Sequence, residues 1–141
     1  MALGSTQAPL CWVVDDNLVD VELIQIAMES IYPQMEIETF NDGQEVLDTL
    51  QGGEKPKPDL MLLDFKMAQV DGITLLNHLP DSFMENTPVI IFSNSQLEED
   101  QQKALDLGVK EVYEKPYAFW DTKEMLHGIL QTYLSFQTVQ G

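Results

Sequence analysis

At 141 residues the chain has the length of one domain, and 44% hydrophobic against 22% charged residues supply a core and exclude a disordered chain. Seven Lys and Arg against 24 Asp and Glu leave a formal charge of −17, which repels nucleic acid phosphates and anionic membranes and points to protein partners, a cation, or both. The single cysteine, Cys11, cannot form an internal disulfide and fits a reducing cytoplasm, and no run approaches the ~18 apolar residues of a membrane span.

Residues 1–8 lack the basic and apolar segments of an export signal and are expected to be a loose tail. Leu10 to Val14 is a short, continuous apolar run that reads as a buried strand. Leu18, Val21, Ile24, Met28 and Ile31 then recur at steps of three or four, the face of an amphipathic helix that Pro33 cannot extend. Met35 to Phe40 alternates in polarity and predicts a strand with one wet side. Val46, Leu47 and Leu50 predict a short helix closed by Gly52 and Gly53, followed by a loop from Glu54 to Asp59.

The pattern then repeats. Leu60 to Leu63 is a dense strand, Ile73, Leu76 and Leu79 mark a helix ended by Pro80, and Val89 to Phe92 is another dense strand. Ser95 and Glu98 form a capping box that opens a helix running to Gly108. Val109 to Tyr113 is a strand of mixed polarity, and a last amphipathic helix runs from Asp121 through Leu134. Five strands alternating with five helices call for an α/β fold with parallel strands and helices on both faces. With the dense strands central and the charged ones at the edges, the order is 2-1-3-4-5, the flavodoxin-like doubly wound sheet.

In such sheets the ligand site lies beyond the carboxyl ends of the strands. Strand one ends in Asp15 and Asp16, strand three in Asp64, strand four in Ser93, and strand five in Lys115 and Pro116. The topology therefore predicts three carboxylates, a hydroxyl and an ammonium in one crevice. A like-charged pair at 4 Å costs about 4 kcal/mol at an effective dielectric of about 20, so one acid holds a proton or a cation binds. Carboxylate oxygens with room for water suit Mg2+, and a divalent ion together with Lys115 leaves a field able to receive a phosphoryl group.

These residues resemble the receiver domain of two-component response regulators. The resemblance covers about Leu10 to Phe136 and rests on Asp15-Asp16, the stretch from Asp64 through Met67 to Asp71-Gly72, Ser93, and Lys115-Pro116. The segment from Asp16 to Leu23 is also similar to stand-alone receivers paired with phytochrome-like and hybrid kinases. The resemblance implies a receiver over residues 9–137 with a short tail at 138–141. Because only 25 residues follow Pro116, a single-domain regulator is expected.

By the same resemblance Asp64 takes a phosphoryl group from a phosphohistidine on a sensor histidine kinase or phosphotransfer protein. Asp16 and Asp64 ligate Mg2+ directly, Asp15 does so through water, and the backbone carbonyl of Lys66 is a further ligand. Lys115 pairs with Asp64 and then with a phosphoryl oxygen, and Ser93 turns inward to another. The output is a conformational switch read by a downstream protein target, with a possible homodimer through the fourth expected helix, the fifth strand and the fifth helix. Turnover is confined to self-phosphorylation and slow self-dephosphorylation, so the protein is not an enzyme in the metabolic sense.

Three departures from the family pattern stand out: Ala68 replaces the proline after Met67, Val112 occupies the usual aromatic switch position, and the pair Asn94-Ser95 stands where residues tune hydrolysis. A one-residue step on a strand sets the neighbouring Tyr113 on the opposite face.

Plainer readings stand beside these. Asp15-Asp16 can cap the helix beginning near Asn17, Ser93 can be a capping residue, and Lys115-Pro116 can be a surface turn. Tyr113, Tyr117, Phe119 and Trp120 either pack the root of the last helix or form a docking surface. His78 and His127 read as solvent-side helix residues. A phosphorylation-independent scaffold is the alternative function. A phosphatase is disfavoured by Lys66 where a second acid belongs, and an FMN carrier by acids where a phosphate loop belongs.

Overall fold

The computed structural model describes residues 8–67, 69–94 and 98–134. The expected tails, apart from Ala8, lie outside the described residues, as do Ala68 and the Ser95 half of the predicted capping box. The elements run β1 (Leu10–Val14), α1 (Leu18–Ile31), β2 (Glu36–Phe40), α2 (Gly43–Gly52), β3 (Leu60–Leu63) and α3 (Gly72–His78). They continue with α4 (Asp81–Asn86), β4 (Val89–Ser93), α5 (Glu98–Asp106), β5 (Glu111–Glu114) and α6 (Phe119–Tyr133). All strand pairs are parallel, and the sheet order is β2-β1-β3-β4-β5.

Alternation along the central strands divides the core in two. Trp12, Val14, Met61, Leu63, Val89 and Ile91 face one way, into a cluster completed by Val46, Leu75, Phe83 and Ala104 from α2, α3, α4 and α5. Cys11, Val13, Leu60, Leu62, Ile90 and Phe92 face the other way, against Val21, Ile24 and Met28 of α1 and Leu126, Ile129 and Leu130 of α6. The edge strands β2 and β5 keep only partial burial, as their charged residues require.

The described residues form six helices, the five expected and, in addition, the short α4. Pro80 ends α3, as read, and also opens α4: its carbonyl accepts from the N–H groups of Phe83 and Met84 at 3.0 and 3.2 Å. Pro80 is the N-cap of α4, with extended backbone, so its carbonyl serves the first turn while its missing N–H leaves no donor to satisfy. Phe83, 1% exposed, anchors this extra turn in the core. Leu18, expected on the buried face of α1, is 75% exposed, and the buried positions are Val21, Ile24, Ala27 and Met28. Leu18 is the first residue of the helix, ahead of the turn at which α1 begins to pack on the sheet. Strand β5 begins at Glu111 rather than Val109, although Val109 is buried in the connection from α5.

Candidate functional site

The strand ladder continues into the polar residues that follow it. The N–H of Asp15 donates to the Phe40 carbonyl at 3.0 Å, that of Asp64 to Val14 at 3.0 Å, and that of Lys115 to Ser93 at 2.9 Å. Each residue is therefore fixed in backbone position by the neighbouring strand, and its side chain projects from the carboxyl edge of the sheet. The sequence positions are far apart, with Lys115 lying 100 residues from Asp15, yet their side chains touch.

Asp15, Asp16 and Asp64 each offer a carboxylate oxygen, and these atoms lie within 4.8 Å of one another. Asp15 and Asp64 are buried and Asp16 is half-buried. Lys115, also buried, donates to Asp15 Oδ2 at 2.7 Å, Asp20 Oδ2 at 2.8 Å and Asp64 Oδ2 at 3.2 Å. The hydroxyl of buried Ser93, the last residue of β4, donates to Asp64 Oδ1 at 2.5 Å. That same oxygen is 3.4 Å from the N–H of Lys66, whose side chain is exposed.

One ammonium among these acids leaves the cluster short of positive charge. Burial pushes the Asp15 carboxyl up to about 6, and the charge of Asp64 adds to the rise, while the hydrogen bonds of Lys115 and the Asn17 N–H pull against it. Burial alone would lower the Lys115 ammonium, but hydrogen bonds to Asp15 and Asp20, with the charges of Asp15 and Asp64, hold it above its ordinary range. A set of hard oxygen donors with unbalanced negative charge fits a small divalent cation.

The plainer readings account for part of this arrangement. The N-cap of α1 is Asn17, whose side chain accepts from the Asp20 N–H at 3.0 Å. Asp15 Oδ1 accepts from the Asn17 N–H at 2.9 Å, so Asp15 braces the turn into α1 as well as facing the cluster. Asp71, rather than Asp64, caps α3. The loop after Asp64 is closed by a bond from the Gly72 N–H to the Phe65 carbonyl at 2.9 Å, and a Cβ on Gly72 would lie 2.6 Å from the Asp64 carbonyl oxygen. This is a close backbone approach that only glycine permits.

Val112 packs with the cluster under α2 to α5, and Tyr113 with the cluster under α1 and α6, so the two do point to opposite faces. Tyr117 and Trp120 are 103% and 71% exposed, while Phe119 packs on the core beside α1 and α6. The aromatic string therefore divides between packing and surface. Both histidines are exposed. Asp20 was not singled out by the sequence reading. The only signal for it is its place in the first turn of a helix that starts at the edge of the site.

A family model for the response regulator receiver domain matches residues 11–127. The chain is 29% identical over 133 residues to the probable methanogenesis regulatory protein FilR2 of Methanothrix harundinacea, covering 92% of this chain and 86% of that protein. Other related regulators are longer, and the chain spans 18%, 44% and 31% of three of them. Among solved structures, the phosphorylated cyanobacterial phytochrome response regulator RcpA matches with a TM-score of 0.84 and 28% identity, over 91% of this chain and 95% of that one. The Mn(2+)-bound form of response regulator Rcp1 matches with a TM-score of 0.78 and 25% identity, over 91% and 96%. With the fold, the strand-end acids and the family match in agreement, this chain belongs to the receiver domain family of two-component response regulators.

Proposed function

We propose that this receiver accepts a phosphoryl group on Asp64 from the phosphohistidine of a sensor kinase or phosphotransfer protein, with Mg2+ bound. The observation that carries the reading is the meeting of Asp64 with Lys115 and Ser93 beside the Asp15-Asp16 pair. Asp15, Asp16, Asp64 and the backbone carbonyl of Lys66 would hold the Mg2+, which supplies the positive charge the acids lack and offsets charge on the phosphoryl oxygens. The phosphorylated RcpA and Mn(2+)-bound Rcp1 structures lend the reading support by likeness.

An Asp64 carboxylate oxygen attacks phosphorus, its O–P bond forms as the N–P bond of the phosphohistidine breaks, and the histidine leaves with the bonding electron pair. Lys115 keeps its ammonium at the acceptor and passes to a phosphoryl oxygen. Ser93 already faces Asp64, so its hydroxyl has only to move from Oδ1 to a phosphoryl oxygen, and this movement draws on the connection into α5. The surface of α5, β5 and α6, the last three elements of the expected output face, would then be read by a downstream protein or a second copy.

Exposed Leu23 and Tyr117 flank Lys115 beside Asp20, and Leu18 and Val19 on α1 and Trp120 on α6 are also exposed, apolar side chains that would suit a docking donor protein. Hydrolysis of the acyl phosphate would be slow and self-assisted. Incubation with a small phosphodonor and Mg2+, read by intact mass, tests the reading. One added phosphate is expected on the native chain and none on Asp64→Asn. An adduct that survives in Asp64→Asn would remove Asp64 as the acceptor, and none on the native chain would favour a phosphorylation-independent scaffold.

A further inference from the structure

We propose that Asp20 is a positioning residue for the acceptor chemistry: it anchors the Lys115 ammonium so that one N–H is held toward Asp64. The inference rests on the phosphoacceptor reading above. An ammonium has three N–H donors, and here three carboxylates take them, Asp15 at 2.7 Å, Asp20 at 2.8 Å and Asp64 at 3.2 Å. The two shorter contacts lie on the β1 and α1 side and fix the lysine there. The longest lies on the acceptor, so it is the contact an incoming phosphoryl oxygen can replace while the other two persist.

The local structure explains why Asp20 is available for this task. Asp20 is three residues after the N-cap Asn17, the position from which an acid in a capping box reaches back to the N-cap N–H. That N–H is already taken by Asp15 Oδ1 at 2.9 Å. The Asp20 carboxylate turns instead to Lys115, while its own N–H is held by the Asn17 side chain at 3.0 Å. The lysine side chain is 6% exposed and that of Asp20 26%, so the bond closes the rim of the site over a buried ammonium. Asp20 stands outside the set of acids whose oxygens converge for a cation, namely Asp15, Asp16 and Asp64. It therefore acts on the lysine and not as a metal ligand, and it offsets the lysine charge so that Asp64 is not fully neutralised before reaction.

Phosphorylation rates with a small phosphodonor, each at Mg2+ saturating for that variant, separate this role from a general field effect. Asp20→Ala is expected to lose about tenfold, the worth of one charge-assisted hydrogen bond, and Asp20→Asn, which keeps an oxygen without charge, to lose less. In a Lys115→Ala background the added Asp20→Ala change should alter the rate by less than about twofold, because residues acting through one another are not additive. Equal rates for the native chain and Asp20→Ala would overturn the proposal. So would a loss that vanishes at saturating Mg2+, or the same tenfold loss in the Lys115→Ala background. If the native chain takes no phosphate, the acceptor reading itself fails and the anchoring is judged by nitrogen-15 NMR of the lysine ammonium. A slowly exchanging Lys115 signal present in the native chain and lost in Asp20→Ala supports the anchor, and its survival in the variant overturns it.

Discussion

At the carboxyl ends of β1, β3 and β5 one ammonium is shared by three carboxylates, whereas at the β5 edge one carboxylate, that of Glu111, is shared by two phenols, Tyr113 and Tyr133. Both clusters join strands to helices, but the first gathers at the carboxyl ends of central β1 and β3 together with β5, and the second at the start of the edge strand β5. Their electrostatics differ. In the first, acids outnumber the cation, and burial, with the charge of Asp64 adding to it, drives Asp15 upward. In the second, neutral donors satisfy a single half-buried acid, and the cluster is complete as it stands. A site with unbalanced buried charge is poised to bind something, while a satisfied one holds the fold together.

The largest expected break in this contrast comes from Lys115→Met. It leaves Asp15 and Asp64 buried with no internal cation, and loss of one partner from a buried ion cluster costs about 3–5 kcal/mol. Urea unfolding in the absence of divalent ions should show that loss, and millimolar Mg2+ should restore part of it. A variant as stable as the native chain without metal would mean the acids neutralise one another by sharing protons.

A pH series sharpens the same contrast with no mutation. The Asp15 carboxyl sits at about 6 in the folded chain against an ordinary 3.8, so between those values the folded state binds the more protons. The stability contributed by this group is present below about pH 4 and is lost as pH rises through about 6. Asp15→Asn should flatten that part of the metal-free profile, and Mg2+ should raise stability most on its upper side. An unchanged slope in Asp15→Asn would place the titration on another group.

Much of this was legible in the chain because the relevant signals are local. The apolar runs Leu10 to Val14, Leu60 to Leu63 and Val89 to Phe92 declare central strands, and the polar residue after each one falls at the sheet edge by topology alone. Helix α4 is hidden because Pro80 signals the end of α3, although as the N-cap of α4 its carbonyl also receives the first hydrogen bonds of the next turn. Leu18 misled because periodicity counts spacing and not the turn at which a helix begins to pack on the sheet. Asp20 was hidden for a different reason. Its partner is 95 residues away, and which of its neighbours already occupies the Asn17 N–H decides where its carboxylate turns. No spacing rule encodes that competition. The Glu111 cluster was equally hidden, since Tyr133 meets it only when α6 packs back along β5.

The smallest expected effect is the most direct check that the two clusters are independent. Tyr133→Phe removes one donor from Glu111 and leaves Tyr113 in place, a loss of about 1 kcal/mol for a half-buried hydrogen bond. Burial and the Glu111 hydrogen bond push the Tyr133 phenol up to about 12 from 10.0, and the Glu111 hydrogen bond and burial do the same for Tyr113. Their stabilisation is therefore present below about pH 10 and lost as pH rises through about 12, far from the window of Asp15. The cost of Tyr133→Phe should accordingly be the same at pH 5 and pH 8 and with or without Mg2+. Combined with Lys115→Met it should add to within about 0.5 kcal/mol, as separate sites do. Coupling beyond that would mean that charge at the acceptor reaches the β5 edge through the ladder between Ser93 and Glu114, and the satisfied cluster would then belong to the switch and not only to the scaffold.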